Sequence, residues 1–387
     1  MRVLHTSDWH VGRSIRGRSR AEEHRAVLAE IAQLVLAEEA DVVLVAGDLF
    51  DTSAPAPESE RIVYRALLDL AATGAQVVVI AGNHDNPQRL AAVKPLLGLT
   101  AIHAGANLAR PSDGGVLTLR TRAGETAQVA LLPFLSQRAI VKADDLMRLD
   151  PDAHAGRYAE RVRQIVDALT AGFEMATVNL VVAHLAVVGD TLGGGERPAH
   201  TVFDYVVPPQ VFPPTAHYVA LGHLHRPQLV PAACPIWYCG SPLQLDFGEA
   251  PGDNCVLLVD AEPGTPARIR PIPLRAGRRL KTLRGTLAEV AAQRDDVGDD
   301  FLRVVLQEPA RAGLADEVRA LLPNTVDVTV AAAPPEGDGD DEWSLASMQR
   351  SPHELFGEYL RDNGSDDPAV GALFAELLEE AHAPHTA

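Results

Sequence analysis

The chain has 387 residues, a net charge of −18, and 47% hydrophobic and 22% charged residues. This composition fits a soluble globular protein of roughly two to three domains. No apolar run approaches the ~18 residues of a membrane span, and MRVLHTSDWH does not read as a secretory leader. Cys234, Cys239 and Cys255 are odd in number and lack zinc spacing, so reduced core thiols and a cytoplasmic location are expected.

In chain order, MRVLHTSD reads as a short buried strand. EEHRAVLAEIAQLVLAEE follows with Val27, Ile31, Leu34 and Val35 at helical spacing. DVVLVAGD (41–48) is a continuous β-branched run, as a buried parallel strand requires. PESERIVYRALLDLAATG is a second helix, with Pro57 near its start and Gly74 at its end. QVVVIAGN is a third buried strand. Alternation of strand and helix predicts βαβ units and a sheet covered on both faces, with sites beyond the carboxyl ends of the strands. GVLTLRT and AQVALLPF read as antiparallel strands. VNLVVAHL (178–185), HYVALGHLH (217–225) and DNCVLLVD (253–260) are later strands. From about 275 onward, LKTLRG, TLAEVAAQ, FLRVVLQE, LADEVRALL and TVDVTVA spell a small β-α-β-α-β segment. A Pro/Gly/Asp linker follows. The tail shows helix starts at Ser351-Pro352-His353-Glu354 and at Asp367-Pro368, and an apolar stripe at Leu373, Phe374, Leu377 and Leu378.

The negative net charge argues against a nucleic-acid partner, because phosphate binding rests on Lys and Arg. Its distribution reverses part of that inference. Acid gathers in GDGDDEW and DNGSDD, whereas ARIRPIPLRAGRRLKTLRG (267–285) has seven basic residues and no acidic one, and RSIRGRSR (13–20) is also basic.

Polar residues collect where the apolar strands stop: Asp8 and His10, Asp48, Asn83-His84-Asp85, His184, then His223 and His225. Alternation along a strand would aim Asp8 and His10, and likewise His223 and His225, the same way. Carboxylate, amide oxygen and imidazole suit Mn²⁺, Fe²⁺ or Zn²⁺. The candidate ligands Asp8, His10, Asp48, Asn83, His184, His223 and His225 exceed the needs of one ion, and a pair roughly 3.5–4 Å apart would use them. Asp48, alone on its strand, is the natural bridge. Gly82 permits the sharp turn that delivers Asn83, and His84, the next residue, must point elsewhere and is free to act on substrate. Asp51 and Asp85 are candidates for orienting the histidines, although Asp85 could equally cap a turn. His5, His24, His103, His154, His200 and His217 have no such setting. DTLGGGERP (190–198) reads as a substrate-side loop rather than a phosphate cradle.

The ordered motifs SDWH, GDLFD, GNHD, AHL and GHLH resemble the calcineurin-like metallophosphoesterase superfamily. LHTSDWHVGR, AGDLFD with GNHD 35 residues later, and LGHLHRPQ followed by CGSPLQLDFGE resemble, more closely, its SbcD family of bacterial nucleases. The resemblance implies an α/β metallophosphoesterase sandwich over residues 1–270, a capping domain over 271–331, an acidic linker over 332–347 and a helical tail over 348–387. It implies a two-metal, Mn²⁺-dependent enzyme. Asp8, His10, Asp48 and His225 would hold one ion, and Asp48, Asn83, His184 and His223 the other. His84 would protonate the leaving group. The implied activity is degradation of DNA ends and opening of hairpins, as a homodimer with SbcC, a coiled-coil ATPase that the tail would dock. Arg275, Arg278, Arg279 and Lys281 then become candidate DNA contacts, and the helices at 57–73 and 88–98 candidate dimer elements.

Two other functions compete. A protein phosphatase or small-nucleotide phosphodiesterase of the same superfamily is one, but phosphatases of this type continue the second motif with Asp-Arg-Gly and end the third in Glu. A non-catalytic scaffold for an ATPase is the other, and it has no physical need for seven converging metal-type groups.

Overall fold

The computed structural model describes residues 1–136, 154–188, 206–249 and 254–331, together with Phe356, Leu360, Val370, Leu373 and Phe374. Among the described elements, fifteen strands and six helices position the site. The strands are β1 (Arg2–Thr6), β2 (Val42–Val45), β3 (Gln76–Ile80), β4 (Ile102–Gly105), β5 (Val116–Arg120), β6 (Thr126–Leu132), β7 (Val178–His184), β8 (Tyr218–Gly222), β9 (Gln228–Val230), β10 (Ile236–Tyr238), β11 (Cys255–Glu262), β12 (Thr265–Pro273), β13 (Leu280–Gly285), β14 (Phe301–Leu306) and β15 (Thr325–Val330). The helices are α1 (Ala21–Ala37), α2 (Pro57–Ala72), α3 (Pro87–Leu97), α4 (His154–Thr170), α5 (Leu287–Ala292) and α6 (Leu314–Leu321).

Two six-stranded sheets form the body. The first runs β12-β11-β1-β2-β3-β4 and the second β9-β10-β8-β7-β6-β5. Strands β1 to β4 are mutually parallel, as the continuous β-branched runs require, and β11 returns antiparallel beside β1. In the second sheet β6, β7, β8 and β10 are parallel, with antiparallel strands at both edges.

Each sheet has helices on one face only. Val27, Ile31 and Val35 of α1 and Ile62, Val63 and Leu67 of α2 pack on the outer face of the first sheet through Val43, Val45 and Val77. Tyr158, Val162 and Val166 of α4 cover the second. The inner faces pack on each other, with Leu44, Val78 and Ile80 meeting Val129, Leu180 and Val182. Burying one such side chain is worth roughly 1.5–3 kcal/mol. The two-sided coverage expected for the first sheet therefore holds, but a second sheet supplies one side.

The basic stretch 267–285 is divided between two elements. Thr265–Pro273 pairs antiparallel with β11, so residues 271–273 continue the sandwich. The chain then enters a small parallel sheet, β13-β14-β15, covered by α5 and α6 around Leu283, Val290, Val304 and Val318. Its first helix starts on a capping box formed by Thr286 and Glu289. All of this lies in one compact unit, Met1–Ala331. In the second unit, Ala332–Ala387, the rings of Phe356 and Phe374 stack with centroids 3.9 Å apart. The expected linker at 332–347, the helix starts at 351 and 367 and the loop at 190–198 lie outside the described residues. No described helix is long and apolar enough to cross a membrane. The three cysteines are buried free thiols.

Candidate metal centre

The parallel strands of both sheets send their carboxyl ends to one rim, where the loops after β1, β2, β3, β7 and β8 meet. The first loop turns at once. Asp8 and His10 have left-handed backbones, φ 51° and 45°, as does Asp48 at 52°. Each costs on the order of 1 kcal/mol for a non-glycine residue. A ladder between the loops holds them: Asp8 N–H donates to Gly47 O, His10 N–H to Asp48 O and Val11 N–H to Leu49 O, each at 3.0 Å. Strand alternation is thus not what aims Asp8 and His10 together, because β1 ends at Thr6. The same correction applies to His223 and His225, because β8 ends at Gly222 and His223 has φ 108°. Backbone strain maintained by surrounding bonds is a frequent mark of functional sites.

Gly82 is needed for a different reason from the one expected. It is not among the left-handed glycines. A Cβ at this position would stand 2.1 Å from Asp48 Oδ1 and 2.4 Å from Asp48 N. Close approach of two loops, not the sharpness of a turn, excludes any side chain.

Asp48 lies at the middle of the cluster. Its Oδ1 accepts the His84 backbone N–H at 2.8 Å. Its Oδ2 is 3.5 Å from His10 Nε2 and 3.5 Å from His184 Nε2. Asn83 Oδ1 is 2.8 Å from His184 Nε2 and 2.9 Å from His223 Nδ1. Asp8 accepts the His223 backbone N–H at 3.0 Å and the Ser7 hydroxyl at 2.5 Å. Ligand atoms of Asp8, His10 and His225 lie within 4.8 Å of one another, as do those of Asp8, Asp48 and His184, and those of His10, Asp48 and His84. Asn83 and His84 do face different partners. The ring of His84 packs edge-on to His10, with centroids 4.6 Å apart, and its Nδ1–H donates to Asp51 O at 2.8 Å.

These groups fit a divalent ion on chemical grounds. His184 Nδ1 is 2.8 Å from Ala46 O while its Nε2 faces Asn83 Oδ1. A neutral imidazole has one N–H and satisfies only one of these oxygens. With Nδ1–H on Ala46 O, Nε2 of a neutral ring presents a lone pair into the cluster, which a second proton, an amide hydrogen of Asn83 turned about its Cγ, or a cation can meet. Burial would lower the His184 pKa, but the charge and hydrogen bond of Asp48, with Asp8 behind it, raise it to about 9. Burial would raise Asp48, yet His184, His10 and His84 hold it well below the usual carboxylate range. Burial pushes Asp8 up to about 6 against the pull of His184 and His225. His10 moves the other way: burial lowers it to about 3 although Asp51 and Asp48 oppose, so the ring is neutral and neither nitrogen makes a hydrogen bond. A cluster that otherwise borrows protons is what a bound cation would neutralise.

Asp51 stands behind His10, with Oδ1 3.6 Å from Nδ1 and 3.3 Å from Arg13 Nη1. Asp85 orients no ring through its hydrogen bonds. It accepts the backbone N–H groups of Gly82, Leu49 and Phe50 at 2.8, 3.2 and 3.0 Å and so ties two site loops together. Nor does it cap α3, whose cap is Asn86, accepting from Gln88 and Arg89 N–H. Two contributors escape a reading of the sequence. Ser7 stands next to Asp8. Glu249, at the end of CGSPLQLDFGE, places Oε1 3.5 Å from His225 Nδ1. Of the basic candidates, Arg275, Arg278 and Arg279 are exposed in the segment leading to β13 and their side chains are not among the groups around Asp48, and the Lys281 ammonium donates to Asp296 O at 3.4 Å.

The chain matches the calcineurin-like phosphoesterase family over residues 1–227. The D component of the SbcCD nuclease of Bacillus subtilis (strain 168) is 37% identical over 284 residues, which cover 72% of this chain and 71% of that protein. The protein of the same name from Rhodobacter capsulatus is 38% identical over 70% of this chain and 69% of its own length. That of Escherichia coli (strain K12) is 31% identical over 80% and 76%. With the family match spanning the loops that build the rim, and with relatives this similar over most of their length, the chain belongs to the calcineurin-like phosphoesterases and, within them, to the SbcD family of metal-dependent phosphodiesterases and nucleases.

Proposed function

We propose that this chain is a DNA nuclease that hydrolyses phosphodiester bonds at DNA ends and hairpins with two Mn²⁺ ions, as a homodimer with an SbcC-type ATPase. The observation that carries the reading is the Asp48 carboxylate, whose Oδ2 is equally distant, 3.5 Å, from His10 on one side and His184 on the other. Asp8, His10, Asp48 and His225 would hold one ion. Asp48, Asn83, His184 and His223 would hold the other. Residues 274–331 cap the sandwich and the tail beyond 347 docks the ATPase.

Bound there, the ions supply an activated water and neutralise charge on the phosphoryl oxygens. The chain's own residues do the rest. The loop ladder and Asp85 keep the ligands in place before substrate arrives. The Nδ1–H bond from His84 to Asp51 O fixes the ring, leaving Nε2 as the atom that exchanges protons. Protonated at Nε2, His84 gives its proton to the leaving oxygen. Its backbone N–H on Asp48 Oδ1 registers this acid against the shared carboxylate.

The test pairs wild type with His84→Ala on end-labelled duplex and hairpin DNA, with Mn²⁺ or Mg²⁺, with and without the ATPase, and measures bound metal. Retained metal with cleavage reduced roughly 10²–10⁴-fold is expected. Equal cleavage removes His84 from the mechanism. A wild type that binds two ions and cleaves chromogenic phosphodiesters but no DNA makes the protein a small-molecule phosphodiesterase.

A further inference from the structure

His225 is backed by a loop that also seats the small parallel sheet. Glu249, 8% exposed, faces His225 Nδ1 at 3.5 Å. Its other oxygen accepts the Leu245 N–H at 2.9 Å, and its carbonyl accepts Gln244 Nε2–H at 3.3 Å. Ser241 N–H donates to the carbonyl of His225 at 3.1 Å. Loop 241–249 therefore begins and ends on this histidine.

The same loop grips the segment that enters β13. Gln244 Oε1 accepts the Leu280 N–H at 2.9 Å. The buried guanidinium of Arg20 donates to the carbonyls of both Gln244 and Arg278. Gly277, with φ 92°, lies so close to Leu243 that a Cβ would stand 2.3 Å from its Cδ2. Phe247 packs with Ile15, Leu280 and Phe301 and lies under the Arg303 guanidinium at 4.5 Å. Burying a carboxylate is costly unless its charge has work to do. A carboxylate behind an imidazole fixes the ring plane and tautomer and makes the far nitrogen a better ligand.

We propose that Glu249 is a positioning residue for His225, and that loop 241–249 couples docking of the small sheet to the affinity of the metal site that His225 serves. This rests on reading His225 as a ligand. Coupling of this kind is reciprocal: if the loop transmits docking to the ion, the ion must stabilise docking.

The experiment uses the full chain, Mn²⁺ titration against a competing chelator, and amide hydrogen exchange at Leu280. Glu249→Gln keeps an acceptor for Leu245 but loses the charge. It is expected to weaken one of the two Mn²⁺ sites about 10–100-fold while the metal-free melting temperature stays at the wild-type value. Gln244→Ala should weaken the same site by a smaller factor. In wild type, saturating Mn²⁺ should slow exchange at Leu280, and Glu249→Gln should shrink that protection. Wild-type titration by Glu249→Gln overturns the positioning role, and Leu280 exchange indifferent to Mn²⁺ overturns the coupling even if a variant misfolds. Loss of a site in His225→Ala, with none in Glu249→Gln, sinks this inference alone. Two intact sites in His225→Ala sink the ligand assignment beneath it.

Discussion

Asn83 Oδ1 stands 2.8 Å from Nε2 of His184, across the seam between the two sheets. Asn83 leaves β3 of the first sheet and His184 ends β7 of the second. An ion held by both is a cross-link between layers whose inner faces meet through apolar packing, added to the few polar bonds at the rim such as His223 N–H to Asp8 and His184 Nδ1–H to Ala46 O. Mn²⁺ should therefore raise the melting temperature, since a ligand at 100 times its Kd adds about 2.7 kcal/mol. In Asn83→Ala the increment should fall while the chelator-treated protein melts near wild type. Calorimetry with Mn²⁺ and with chelator checks this. An identical Mn²⁺ increment in both proteins would take Asn83 out of the metal centre.

Gly82→Ala tests the loop contact that the fold imposes. The new methyl would overlap Asp48 Oδ1, and overpacking of this kind costs ~1–3 kcal/mol. Because the displaced group is the shared carboxylate, metal should be lost before the fold is. Urea midpoints and metal content measured together decide it. A folded variant retaining both ions at wild-type affinity contradicts the requirement for close approach.

Much of this architecture is legible in the chain. Continuous runs such as VVLV and QVVVI allow little but buried parallel strands, and their polar ends fall at one rim by topology alone. Other features depend on contacts that no local pattern encodes. Nothing in SDWH announces that Asp8 and His10 are left-handed, because the ladder to residues 47–49 imposes it. Strand β12 is masked by Pro271 and Pro273, which usually argue against a strand. Here they are tolerated because β12 is the edge of its sheet. Asp85 reads as an orienting or capping acid, and its true partners are amides brought near only when β2 and β3 align. Glu249 reaches His225 through a long-range closure that sequence spacing does not reveal.

His24 makes stability depend on pH away from the metal centre. It lies buried on α1 with Nδ1 2.9 Å from Arg20 O, beside Arg20 and Glu23. Burial first, and then the Arg20 charge, lowers its pKa from 6.5 to about 4. The folded ring is neutral. Above pH 6.5 neither state takes up a proton and the full stability is present. Between 6.5 and 4 the unfolded chain binds a proton that the folded chain refuses, so stability falls as pH falls. Acidification from about pH 7 to about pH 5 should cost wild type about 2 kcal/mol more than His24→Gln, which retains a donor for Arg20 O. Denaturant midpoints across that range, in chelator, measure the difference. Parallel curves would show that His24 does not carry it.

Arg275, Arg278 and Arg279 offer the clearest measure of whether the basic segment meets DNA. All three are exposed, and the Arg278 guanidinium lies 5.0 Å from the Phe301 ring centroid, so that charge has a fixed platform. Lys281 differs, since its ammonium already donates to Asp296 O. Each phosphate neutralised by a cation contributes about 0.9 to the slope of log K against log salt. Replacing the three arginines with glutamine should weaken DNA binding at low salt and flatten the slope by about 2.7, while Lys281→Gln should change it little. Turnover of a small chromogenic phosphodiester should be unaffected, because none of the four lies among the rim groups around Asp48. Binding measured from low to moderate salt gives the slope directly. An unchanged slope in the triple variant would mean that these arginines are solvated surface, and the phosphate backbone would have to meet other cations, with Arg13 beside Asp51 and His10 the first to examine.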